Sequence, residues 1–179
     1  MKPPIRQRKP NRMPRYDYSS HGCYFVTICL KNMELNSFGE IADEKIELSQ
    51  MGKIAEKCWL EIPNHFPEVR LDEFVIMPNH VHGIIVIFQK AGDPNMLSRF
   101  SDQVSDRSKM YLSKVVQAFK SSVTRKINQN QSSEYFAWQK SFYDHIINHQ
   151  KELDQTRRYI LDNPIQWPID NENFEKLFK

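Results

Sequence analysis

The chain has 179 residues, 40% of them hydrophobic and 26% charged, with a formal net charge of only +3. This is the composition of one ordinary globular domain with a core of its own, and the chain is too short for a barrel of eight β/α units, which needs about 250 residues. No run reaches the ~18 apolar residues of a membrane span, the basic start leads into no apolar signal segment, and Cys23, Cys29 and Cys58 lack metal-ligand spacing, so a reducing, cytoplasmic setting without a membrane partner is expected.

Residues 1–16 hold Lys2, Arg6, Arg8, Lys9, Arg12 and Arg15 with no acidic residue, together with Pro3, Pro4, Pro10 and Pro14. Proline at that density excludes a helix, so the segment is an extended basic arm, either a solvated tail or a strand that lies along phosphate backbone. The β-branched run "CYFVTICL" (23–30) fits a central strand. From Lys45 to Ile62 the apolar positions fall mostly at three- and four-residue steps and predict a helix, ended by Pro63 and Asn64. "VRLDEFVIM" (69–77) and "HVHGIIVIF" (80–88) predict two strands joined by a tight turn at Pro78, an antiparallel hairpin.

Alternation along the second of these strands puts His80 and His82 on one face, about 6.7 Å apart along the chain. Two imidazoles so placed can converge on one ion; the bland alternative is a pair of satisfied strand-end residues. Residues 89–108 are polar and rich in turn formers, a long loop of the size that is either functional or disordered. A second helix is expected over 109–128, with Leu112, Val115, Val116, Phe119, Val123 and Ile127 on its apolar stripe and Lys114, Lys120, Arg125 and Lys126 among the residues of its basic side. Such a side is ordinarily just solvated, and is otherwise a surface for nucleic acid.

"FAWQKSFYDHIIN" (136–148) predicts an aromatic-rich strand, and 149–167 a third helix with Leu153, Thr156, Ile160 and Leu161 on or near its packed side and Pro164 as its stop. The order strand, helix, strand, strand, helix, strand, helix predicts an α+β, ferredoxin-like split β-α-β-β-α-β core. In it an antiparallel sheet carries helices on one face, and a C-terminal helix is added. On that last helix Tyr159 and Asn163 are one turn apart and share a face. By themselves they read more readily as a core aromatic and a helix-end residue than as chemistry.

The blocks "RYDYSSHGCYFVTICLKN", "MPNHVHGIIV", "VVQAFKSSVTRKIN", "WQKSFYDHII" and "YILDNPIQW", in that order over nearly the whole chain, resemble the REP-associated tyrosine transposases. These are single-tyrosine, histidine-hydrophobic-histidine transposases similar to those of the smallest insertion sequences. The resemblance implies a metal-dependent DNA strand transferase that cleaves and rejoins single-stranded DNA at hairpin-forming repeats through a 5′-phosphotyrosine. It implies His80, His82 and Asn163 as ligands of Mg²⁺ or Mn²⁺ and Tyr159 as the nucleophile. Asparagine in place of the insertion-sequence glutamine shortens the third ligand arm.

On this reading residues 1–18 form the basic arm, 19–167 the catalytic domain and 168–179 a tail. The candidate DNA contacts are Arg6, Arg8, Lys9, Arg12, Arg15, Tyr16, Tyr18, Lys120, Arg125, Arg157 and Arg158, with Trp138, Phe142 and Tyr143 as further stacking platforms. A homodimer that exchanges its tyrosine helix is one open alternative, as are a non-catalytic DNA- or RNA-binding regulator on the same fold and a relaxase or replication-initiator nickase.

Overall fold

The computed structural model describes residues 21–33, 35–88, 111–130 and 136–170. The basic arm, the 89–108 loop and the end of the chain lie outside the described residues. In chain order the elements are β1 (Gly22–Cys29), β2 (Gly39–Ala42), β3 (Lys45–Leu48), α1 (Gln50–Leu60), α2 (Ile62–His65), β4 (Val69–Met77), β5 (His80–Ile87), α3 (Tyr111–Asn130), β6 (Tyr143–Ile147) and α4 (Gln150–Asp170). The main sheet is antiparallel in the order β4-β5-β1-β6, which is the ferredoxin-like arrangement with the paired-histidine strand inside it.

Alternation divides the sheet into two faces. Tyr24, Val26 and Ile28 of β1, Ile76 of β4 and Val81 and Ile85 of β5 point toward α1 and α3, whose Ala55, Cys58, Trp59, Val115, Val116, Phe119 and Val123 complete the main core. The glycine of "HVHG" belongs to this packing, because a Cβ at Gly83 would run into the ring of Trp59. The opposite face is covered by α4, where Ile84, Ile147 and Ile160 form a smaller cluster with Phe25, Val75, Val86, Leu153 and Tyr159.

Four expectations need correction. The helix predicted over 45–62 is a strand followed by two helices: β2 and β3 pair as a hairpin whose turn residues Asp43 and Glu44 have φ of 47° and 61°. That left-handed pair is the primed turn that matches strand twist, here without its usual glycine. Ser49 then caps α1, accepting from the Gly52 amide at 3.1 Å. The last strand is only Tyr143–Ile147, with Trp138 reaching Leu30 in a single isolated bridge.

Pro164 does not stop the last helix, which continues to Asp170. A proline inside a helix removes one backbone donor, so the continuation must be held by packing. Asn163 and Trp167 on either side of it are 4% and 7% exposed, and supply that packing. Leu161, expected near the packed side, is exposed, while Leu153 and Ile160 do face the sheet.

Candidate functional site

His80 and His82 leave β5 on the α4 face, and both are within 2% of full burial. His80 is flanked in register by Cys29 and Met77, and His82 by Thr27 and Val75. Their rings are 4.4 Å apart between centroids at 75°. Each Nδ1 has a partner. The Asn79 amide donates through Nδ2 to the Met33 carbonyl at 2.6 Å, which leaves its Oδ1 as an acceptor for His80 Nδ1 at 2.9 Å. His80 therefore carries its proton on Nδ1, and Nε2 is the nitrogen competent to ligate. His82 Nδ1 lies 2.9 Å from Thr27 Oγ1, a hydroxyl able to accept the same bond.

Burial governs the charge of both rings. Removal from water pushes the His82 pKa down to about 3. The same desolvation, with His82 as a close cationic neighbour when charged, holds His80 well below the usual imidazole range. Both rings are neutral at physiological pH, the state a metal ligand needs.

Helix α4 brings the second half of the site. Tyr159, Asn163 and Trp167 follow one another at four-residue steps and so form one stripe. Tyr159 lies against His82 with centroids 5.4 Å apart, and Trp167 lies against His80 at 5.6 Å. Asn163 lies midway between them on the stripe and is buried. Phe25 stacks on His82 at 5.3 Å and meets the Tyr159 ring edge-on at 5.9 Å, which restrains both from the β1 side.

Among the described residues no third histidine, cysteine, aspartate or glutamate joins the two neutral imidazoles in a metal-holding group, so the amide of Asn163 is the candidate third donor. Mixed nitrogen and oxygen ligation of this kind fits a divalent cation that keeps open positions. Thr27, Phe25 and Trp167 escaped sequence reasoning. Strand alternation could find Thr27 only with the β1–β5 register in hand, and Trp167 lies beyond a proline that local backbone preference makes a helix stop.

The other expected contacts divide. Lys120 donates to the carbonyls of Gln139 at 2.9 Å and Ser141 at 2.8 Å, and so clips the segment before β6 onto α3. Arg157 makes a fork to Asp72, with Nε to Oδ1 at 2.7 Å and a terminal nitrogen to Oδ2 at 2.6 Å. Arg125 and Arg158 are exposed. Tyr143 is half-buried and sits opposite Thr27 in the β1–β6 register, on the same sheet face as His82. Trp138 and Phe142 belong to the main core. Arg6, Arg8, Lys9, Arg12, Arg15, Tyr16 and Tyr18 lie outside the described residues.

No family model matches the chain. An uncharacterized protein of Haemophilus influenzae is 42% identical over 170 residues, 93% of each chain. Among solved structures, a REP-associated tyrosine transposase bound to a REP hairpin superposes with a TM-score of 0.58 at 19% identity, over 87% of this chain and 73% of that one. A Deinococcus radiodurans protein provisionally named a transposase gives a TM-score of 0.45 at 13% identity, over 83% of this chain and 95% of that one. The fold is therefore that of the hairpin-bound transposase, an antiparallel sheet flanked by helices with an added C-terminal helix.

Proposed function

The chain belongs to one family with the Haemophilus influenzae protein, and we propose that it cleaves and rejoins single-stranded DNA at hairpin-associated sites through a covalent 5′-phosphotyrosine on Tyr159. The observation that carries this reading is the apposition of Tyr159 to His82 within one chain, at 5.4 Å between ring centroids, on a fold shared with a hairpin-bound transposase.

His80, His82 and Asn163 would hold a divalent cation, Mg²⁺ or Mn²⁺, whose charge polarises a phosphodiester. The histidines themselves are poor bases. With its pKa pushed down to about 3, His82 could take a proton from a phenol of reference pKa ~10 only at a cost of roughly 9–10 kcal/mol. Their part is ligation, and the phenolic proton leaves to solvent. The Tyr159 oxygen then forms a bond to phosphorus as the bond from phosphorus to the 3′-oxygen breaks, and that oxygen takes up a proton. One phosphodiester is exchanged for another of similar energy, so rejoining by the reverse attack requires no nucleotide cofactor. Asn79 and Thr27 keep the rings oriented, and Phe25 restrains the nucleophile's ring.

Burial of both imidazoles also favours a second reading, a nucleic-acid-binding module on which the site is sealed. The same experiment separates the two. Incubation with labelled hairpin oligonucleotides and Mn²⁺ or Mg²⁺, followed by a denaturing gel, yields a covalent adduct if the chain is a strand transferase. Only a native-gel shift, with no adduct, is expected of a binding module.

A further inference from the structure

We propose that Arg157 and Asp72 are positioning residues that set where Tyr159 stands over the histidine pair, rather than Arg157 being a contact to DNA phosphate. The proposal rests on the reading of Tyr159 as the nucleophile. α4 is held to the sheet by a small apolar cluster, far smaller than the core on the opposite face, and apolar packing of that kind tolerates sliding and rotation. A fork between a guanidinium and a carboxylate does not, because two parallel hydrogen bonds fix both distance and angle. Arg157 lies two residues before Tyr159, and its fork to Asp72 is closed at 2.7 and 2.6 Å.

Asp72 is itself immobilised. It sits where the β4–β5 register shifts between Leu71 and Phe74, and its Oδ1 accepts the Glu73 amide at 2.8 Å. The irregularity thus turns a carboxylate of an edge strand toward the helix, a use to which bulges are commonly put. On the helix side Asp154, one turn earlier, lies 3.3 Å from the same guanidinium and steadies it. The sheet edge, the helix and the nucleophile are thereby linked by one rigid fork.

The test compares Asp72→Asn, Arg157→Lys, Arg157→Gln and the exchanged pair Asp72→Arg/Arg157→Asp in the full chain. Two readouts are used: the rate of covalent adduct formation on a hairpin oligonucleotide, and the fluorine spectrum of 3-fluorotyrosine-labelled protein, with the Tyr159 signal identified by its loss in Tyr159→Phe. A displacement of ~1 Å at a reacting atom costs on the order of a hundredfold in rate, so Asp72→Asn should slow adduct formation ten- to a hundredfold and shift or split the Tyr159 signal. Hairpin affinity and its salt dependence should stay within twofold. Arg157→Lys, which keeps the charge and loses the fork, should behave likewise, and the exchanged pair should recover part of both signals. An unmoved fluorine signal with unchanged rates would overturn the proposal. So would a weakened hairpin complex with a flatter salt slope in Arg157→Gln, which removes the charge and would mark Arg157 as a phosphate contact. If wild-type protein forms no adduct, the proposed function falls, and the fluorine spectra still decide whether the fork positions Tyr159.

Discussion

At the scale of single residues, the chemistry of the site is set by taking two imidazoles out of water. A histidine whose folded pKa lies below its unfolded value of ~6.5 is neutral when folded, so the unfolded chain takes up the proton first. Stability is then fully present above pH ~6.5 and is lost as pH falls toward the folded value, which for His82 is about 3. The metal-free protein should lose about 2 kcal/mol between pH 7.5 and pH 5 through His82 alone, and His80 adds a loss of the same sign. Urea unfolding in the presence of a chelator at those pH values measures it, and His82→Gln should flatten the slope. A chain equally stable at both pH values, with wild-type and variant alike, would show that the rings are not sealed as described. The tautomer of His80 could not be read from "MPNH", because it depends on Met33 orienting the Asn79 amide from another part of the chain.

At the scale of elements, patterning located the strands of the main sheet and the two helices beneath it because each buries one continuous face. Val69–Met77 and the start of β5 at His80 agree with the expectation to the residue. The hairpin of β2 and β3 was hidden because Ile46 and Leu48 suit a two-residue period and the start of a helix equally well, and because Asp43 and Glu44 adopt the turn without glycine. The extension of α4 past Pro164 was hidden for a different reason. Local backbone preference argues for a stop there, and it is overridden by Trp167 packing on His80. The packing of β5 on α1 makes its own prediction. Gly83→Ala would drive a methyl group into the buried Trp59 ring and should destabilise the fold by about 1–3 kcal/mol, the usual cost of overpacking. Thermal or urea unfolding checks this, and a neutral substitution would mean that Trp59 is free to yield.

At the scale of the whole molecule, the sequence placed the paired histidines on one side of the sheet, but only the folded chain shows that α4 crosses that same side within the one chain. Tyr159 and His82 are separated by a long stretch of sequence, and no periodicity relates them. Their meeting depends on strand order, on α1 and α3 occupying the other face, and on the Arg157–Asp72 fork at the sheet edge. A site completed within one chain predicts that mixing Tyr159→Phe with a folded His82→Gln variant restores no activity, and adduct formation in the mixture would reveal an exchanged helix instead. The most direct test of the central claim is to map the DNA adduct itself. Protein incubated with a hairpin oligonucleotide and Mn²⁺ is digested with protease and nuclease, and the modified peptide is sequenced by mass spectrometry. A nucleotide phosphate is expected on Tyr159, absent in Tyr159→Phe and retained in Tyr143→Phe. A phosphate mapped to Tyr143, or normal cleavage by Tyr159→Phe, would contradict it.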